Sequence, residues 1–217
     1  EKEVTLYLAR IIGINSSNVS AHAKAAVFSA NSLKGVAPLS VTMQNFVFGQ
    51  QYTLKNGGGD GTNGWYGPVR LDGSGANLYR NALTRGNLDA MSVGQILEIE
   101  SGNMSGPTTQ GLRDRLSSDT RVPGNTFEDH DRNAPQIVYI PIVEVMSSVS
   151  GSVKTVKILG FAAFFIENVS GSGGDCFITG RFIETLVSQG RETSPLSPSD
   201  DNPFIDYGLY SVKLLMN

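Results

Sequence analysis

The residues of this sequence that could bind a cation are oxygen-bearing turn residues in two regions. One region is the glycine-rich stretch 55–77 and the other lies near the C-terminal end, and the candidates are Asp60, Asn63, Asp72, Asp200, Asp201 and Asp206. Ca²⁺ prefers carboxylate and carbonyl oxygens of such turns. Asp and Asn also favour turns for conformational reasons, and the spacing of an EF-hand loop is absent. Two interpretations therefore stay open, a calcium site and plain turn chemistry, and no other cofactor is predicted.

A second cluster of reactive side chains is the run Glu128, Asp129, His130 and Asp131. Histidine beside carboxylates could bind a metal or take part in hydrolysis. Adjacent loop residues rarely converge on one atom, because metal sites usually draw ligands from separated segments. We therefore favour a solvated acidic loop over a metal site or a hydrolase. The other histidine, His22, lies in the polar row of an alternating segment and is expected to face solvent.

The single cysteine, Cys176, precedes an apolar strand and has no histidine near it in sequence. We predict a buried structural thiol rather than a nucleophile. The carboxylates that could do acid–base chemistry lie close together or in apolar strands, and they are Glu98, Glu100, Glu144, Glu167 and Glu184. Apolar surroundings could raise the pKa values of those in strands, but strand ends or ion pairs with Lys157 or Arg181 are the favoured explanation. No standard hydrolase, zinc-protease or nucleotide-binding motif occurs, so the sequence predicts no enzyme.

The composition limits the class of protein. The 217 residues include 17 basic and 20 acidic side chains, which give a net charge of −3. No cluster of five or more Lys and Arg residues occurs, which argues against a nucleic-acid partner. A hydrophobic share of 40% is enough for one packed domain. The longest apolar run, residues 158–166, is far shorter than the roughly 20 residues that span a bilayer.

The elements that must position these residues are two short helices and a series of strands. One helix is predicted over 76–84, ended by Gly86, and a second follows Ser105 as the N-cap residue, with Pro107 in its first turn. Apolar strands joined by short turns are typical of an antiparallel meander. Two strands apolar on both faces are expected at 137–145 and 153–169, a third strand with alternating faces at 177–187 and a final strand at 207–215. The predicted fold class is α+β and β-rich, an antiparallel sheet or meander with a few short helices and long glycine-rich loops.

Five segments carry a resemblance to a known family. They are residues 6–27, in which an apolar stretch precedes Val-Ser-Ala-His-Ala-Lys-Ala, then Glu-Ser-Gly-Asn-Met-Ser-Gly-Pro-Thr at 100–108, Val-Tyr-Ile-Pro-Ile-Val at 138–143, Ile-Leu-Gly-Phe-Ala-Ala-Phe-Phe-Ile-Glu at 158–167 and Gly-Arg-Phe-Ile at 180–183. Together they resemble TadE/TadG-like assembly proteins of the tight-adherence (Flp) pilus. The first segment is fairly specific, whereas glycine–proline turns and apolar strands recur widely.

The resemblance implies a non-enzymatic structural or assembly protein on the external face of the bacterial envelope or outside the cell. Its partners would be other pilus or envelope proteins, or copies of itself. Such proteins have one N-terminal transmembrane helix, which this chain does not contain, so membrane contact is expected only through an anchor preceding Glu1. Residues 1–30 would be the end of the Tad-like N-terminal region, a short helix ending near Gly13 and then a strand, and residues 31–217 the β-rich external domain, together one compact unit.

One alternative function follows from the residues themselves. A secreted or surface-bound β-rich adhesin module could bind calcium through the turns described above. It could also bind a carbohydrate by stacking sugars on Trp65, Tyr66 and Tyr79, because aromatic rings beside polar loops offer such surfaces.

Overall fold

The structure is a computed structural model. It describes residues 2–5, 12, 16–19, 24–42, 46–56, 65–149, 152–171, 174–187 and 206–215. The chain divides into two units, one formed by Glu1–Val27 with Val212–Asn217 and the other by Phe28–Ser211. The division into residues 1–30 and 31–217 stays a prediction. The short helix predicted before Gly13 is wrong at its start, because Val4 lies in a strand, Lys2–Thr5, and residues 6–11 lie outside the described part.

The described residues contain fourteen strands and two helices. In chain order they are β1 (Lys2–Thr5), β2 (Ser16–Val19), β3 (Lys24–Ser29), β4 (Ser32–Leu33), β5 (Leu39–Thr42), β6 (Gln51–Asn56), β7 (Trp65–Pro68), α1 (Ala76–Arg85), β8 (Met91–Ser92), β9 (Ile96–Glu98), α2 (Ser105–Leu116), β10 (Ile137–Val149), β11 (Ser152–Ser170), β12 (Phe177–Ile183), β13 (Thr185–Leu186) and β14 (Leu209–Leu215). The predicted β-rich α+β class is confirmed.

Six strands of the larger unit form a closed ring of pairings. Their order is β10-β5-β7-β6-β12-β11, and β11 pairs again with β10. The predicted meander is present as the antiparallel run β10-β11-β12, while β10 with β5 and β6 with β7 pair in parallel. Closure gives each strand of the ring a partner on both sides, which removes the free edges that make open sheets prone to association. The strand β9 adds to β11 alongside the ring.

The long strand β11 is covered on both faces, as its sequence predicts. Ala162, Phe164 and Ile166 pack into one buried cluster, and the alternate residues Phe161, Ala163 and Phe165 pack into a second. The period of two in a strand sends neighbouring side chains to opposite faces, so a run that is apolar throughout needs cover on both. The first cluster also contains side chains of α1 and α2, which attaches both helices to the ring.

The predicted strand 177–187 is divided in the structure. Ile178, Gly180 and Phe182, which share one face of β12, are buried. The strand β12 ends at Ile183, and β13 then joins a different sheet, in the order β13-β14-β3. The final strand begins at Leu209 and pairs in parallel with β13, so it does not continue the meander.

The two helices follow the sequence closely except at one end. The helix α1 ends before Gly86, whose φ of 79° and close approach to the backbone of Gly35 exclude a Cβ atom. The predicted N-cap role of Ser105 is wrong, because α2 begins at Ser105 and Met104 is the N-cap residue. The Ser105 N–H donates to Oδ1 of Asn103 at 2.9 Å, so the preceding amide caps this end. Among the described residues, neither helix has the length and apolar character needed to cross a membrane.

Candidate functional site

The predicted calcium ligands are only partly within the described residues. Asp60, Asn63, Asp200 and Asp201 lie outside them. Asp72 is exposed as a residue. Partial desolvation of its carboxylate, followed by the negative charge of Asp89, raises the pKa of this group. Over the part of the chain that the structure describes, no three His, Cys, Asp or Glu side chains are grouped as metal ligands.

Asp206, the remaining calcium candidate, has both carboxylate oxygens engaged in a turn. One oxygen accepts the N–H of Gly208 at 2.8 Å and the other accepts the hydroxyl of Tyr210 at 2.6 Å. Burial, followed by this hydrogen bond, raises the pKa of Tyr210. The geometry is that of a local turn, and the calcium site stays a prediction.

The acidic run around His130 is held in place by its own loop. The carboxylate of Asp129 pairs with Arg121 at 2.5 Å, which lowers the pKa of Asp129. The Nδ1 of His130 lies 2.9 Å from the carbonyl oxygen of Phe127, so this nitrogen must carry the proton. The backbone N–H of Asp131 donates to Oδ1 of Asn125 at 2.7 Å. These contacts order the loop and do not direct Asp129 and His130 towards one reacting atom.

The sequence analysis missed Asp119, which organises the same loop. Its carboxylate accepts hydrogen bonds from Asn125 N–H at 2.9 Å, the Asn125 amide group at 2.8 Å, Arg121 N–H at 3.0 Å and Gln136 Nε2 at 2.7 Å. These donors, led by the Asn125 backbone, lower the pKa of Asp119 to about 2. The only local signal in the sequence was the position of Asp119, whose carboxylate can accept a hydrogen bond from the backbone N–H two residues later, at Arg121. This is the pattern of an Asx turn.

Two of the three strand carboxylates form ion pairs, which is one of the two arrangements that the sequence analysis favours. Glu144 lies 3.1 Å from Nζ of Lys157, and Glu167 lies 2.9 Å from Nε of Arg181. Glu184 instead accepts the hydroxyl of Tyr210 at a long 3.4 Å. Their roles in these contacts are structural.

The pair Glu98 and Glu100 shares one cation, Arg70. The Nε of Arg70 lies 3.0 Å from Glu100, and its NH1 group pairs with Glu98. Glu100 is buried and also accepts the N–H of Gly75 at 2.8 Å, just before α1. This contact holds the start of α1 against the end of β9, because a carboxylate near a helix N-terminus is favourable.

Two further predictions are settled by burial. Cys176 is completely buried, as predicted.

Tyr79 is buried too, so its proposed role in stacking sugars is wrong. Its hydroxyl lies 2.9 Å from Thr108, whose own hydroxyl donates to the carbonyl of Met104. Burial raises the pKa of Tyr79. Trp65 and Tyr66 lie in β7, and their side chains fall outside the described part.

The larger unit has a groove of about 680 Å³ between its two helices. Its walls are the start of α1, the first two and a half turns of α2 and the turn that follows β11. The lining residues are Ala76, Asn77, Arg80, Ser105, Gly106, Pro107, Thr109, Gln110, Arg113, Asp114, Gly171 and Asp175. A groove of this volume is in the range of small-molecule sites.

Close packing of the helices sets the width of this groove. A Cβ atom at Gly111 would lie 2.8 Å from Cβ of Leu83 and 2.9 Å from the carbonyl oxygen of Arg80. Only glycine therefore permits the observed approach of α2 to α1. The hydroxyl of Ser105, the first residue of α2, donates to the carbonyl of Gly174 at 2.7 Å. This hydrogen bond fixes the N-terminal end of α2 to the turn that forms the third wall.

The groove contains one satisfied ion pair and several polar groups that face solvent. Arg80 donates two hydrogen bonds to one oxygen of Asp114, at 2.6 and 3.1 Å. Within the described residues, no hydrogen bond or ion pair engages the side chains of Asn77, Gln110 or Arg113. Sequence reasoning missed this site because its residues have no motif and come together only through the helix contact.

Comparison of the chain with protein-family models, with curated proteins and with solved structures finds no match.

Proposed function

We propose that this protein is a non-enzymatic structural or assembly component of a bacterial surface pilus of the Flp/Tad type, acting through protein–protein contacts. The observation that carries the proposal is the α1–α2 groove, which offers hydrogen-bonding side chains with no partner inside the described chain. Three of its wall residues, Ser105, Gly106 and Pro107, belong to the segment 100–108 on which the family resemblance partly rests.

The surroundings of the reactive side chains support a binding role. Three of the carboxylates form ion pairs: Asp129 with Arg121, Glu167 with Arg181 and Glu144 with Lys157. Catalytic acids and bases need pKa values matched to proton transfer near the working pH. The pKa of Asp129 is lowered instead, by the structural hydrogen bond from Arg121. On this proposal the protein acts at the external face of the envelope or outside the cell, on other pilus or envelope proteins or on copies of itself.

Site-specific photo-crosslinking in the bacterium that carries the gene tests this function. A benzoylphenylalanine at Gln110, in the groove, is compared with one at Leu88, which is 81% exposed and lies outside it. We expect Gln110 to crosslink to a pilus or envelope protein and Leu88 not to. Deletion of the gene should also reduce the number of surface filaments seen by electron microscopy. Unchanged filaments together with no groove-specific crosslink would contradict the proposal.

A further inference from the structure

The side chains that line the α1–α2 groove can recognise a peptide main chain. Asn77 on α1 and Gln110 on α2 each carry an amide with both a donor and an acceptor. Such amides can bind a peptide N–H and C=O at once, provided that the peptide is extended and its main-chain groups are unpaired. At the exposed lining residue Gly106, an added Cβ would meet nothing within 4 Å, so a ligand backbone has room to approach.

The charges of the groove are unevenly compensated. Arg80 is neutralised by Asp114 at 2.6 Å, whereas Arg113, one residue before Asp114, has no ion partner in the described chain. The first turn of α2 also carries no acidic residue. Asp175, on the turn that forms the third wall, has no cation partner in that same part of the chain. Within the described residues, Arg113 on α2 is thus the unpaired cation of the groove and Asp175 on the third wall its unpaired anion, so the α2 wall is complementary to a negative group.

We propose that the groove binds an extended polypeptide segment of a partner protein, with an acidic side chain of that segment placed against Arg113. This inference rests on the proposed function and names the chemistry of the partner. A guanidinium is suited to this role because its fork of N–H donors matches the two oxygens of a carboxylate. Asn77 and Gln110 hold the main chain, and Arg113 selects the charge.

A titration followed by NMR tests the proposal on the full chain labelled with ¹⁵N. The probes are three blocked peptides, acetyl-Ala-Ala-Glu-Ala-Ala-amide and its Gln and Lys analogues. We expect saturable shifts of the side-chain signals of Asn77, Gln110 and Arg113. The Glu peptide should bind about two- to fivefold more tightly than the Gln peptide, which is the range for a solvent-exposed ion pair.

Two variants separate charge recognition from general binding. Arg113→Gln should remove the preference for the Glu peptide and leave amide signals distant from the groove unchanged, which shows that the fold is intact. Asp175→Asn should keep or increase the preference. The proposal is overturned by equal affinity for the Glu and Gln peptides, by tighter binding of the Lys peptide, by a preference that survives Arg113→Gln, or by the absence of saturable shifts.

The outcome is independent of the crosslinking experiment. A groove-specific crosslink at Gln110 without a Glu preference would leave the assembly role standing and show that acid recognition is wrong. A Glu preference without a crosslink or a filament defect would keep the peptide site and remove the pilus role.

Discussion

Two glycines of α2 should respond in opposite ways to the same substitution. Gly106 and Gly111 lie in one helix, and alanine has a helix propensity higher than glycine by about 1 kcal/mol in a helix interior. A Cβ at Gly106 meets nothing within 4 Å, so Gly106→Ala should be neutral or stabilising by a few tenths to about 1 kcal/mol. A Cβ at Gly111 would approach Leu83 and Arg80 to within 3 Å.

The contacts of that second Cβ determine the magnitude. One is a main-chain carbonyl oxygen and the other is a Cβ atom, at 2.9 and 2.8 Å, so neither can be relieved by rotating a side chain. Overpacking of a buried helix contact costs about 1–3 kcal/mol. After the gain in helix propensity of about 1 kcal/mol, Gly111→Ala should destabilise the fold by up to about 2 kcal/mol. Because both variants gain the same helix propensity, they should differ by the overpacking cost alone, about 1–3 kcal/mol.

Urea unfolding followed by tryptophan fluorescence and circular dichroism measures this difference. Thermal unfolding gives a second readout, in which a loss of 1 kcal/mol lowers Tm by about 2–4 °C for a domain of this size. The reasoning is refuted if Gly111→Ala is as stable as Gly106→Ala, since the helices would then tolerate a Cβ at their contact and the width of the groove would not depend on glycine.

Three further changes test other parts of the structure. The folded pKa of Asp119, about 2, lies below its ordinary 3.8, so its stabilisation is complete above about pH 4 and is lost as the pH falls towards 2. Urea midpoints of Asp119→Asn should therefore fall less steeply over that range than those of the unaltered protein. Arg115 donates hydrogen bonds to the carbonyls of Pro135 and Ile137 at 2.8 and 2.9 Å. Arg115→Met should therefore lower the free energy of unfolding by about 2–3 kcal/mol, and Arg115→Lys by less. Equal stability of Arg115→Met and the unaltered protein would contradict this. Cys176 should react with Ellman's reagent only in denaturant, and rapid labelling of the native protein would show that it is accessible.

Local pattern in the sequence was enough for the two helices and for the long apolar strands. The apolar run of β11 required cover on both faces, and one buried cluster lies against each of them. Gly86 marked the end of α1 because only glycine takes its backbone conformation with Gly35 so near. The pairing of Glu167 with Arg181 was also predicted, although the sequence left Lys157 as an equal candidate.

Tertiary structure decided how these elements combine. The closed ring depends on pairing β10 with β5, about a hundred residues away, and parallel pairing of β6 with β7 has no signature in either strand. The assignment of Tyr79 to a sugar surface failed because its burial is set by α2, not by its neighbours in the chain. Periodicity specifies which side of an element is apolar, whereas the partner that covers it is selected by the packing of the whole domain. For this protein the sequence alone determined the two helices and the long apolar strands that need cover on both faces. Only the fold brought Asn77, Gln110 and Arg113 to one groove, since that requires two helices to meet at a glycine.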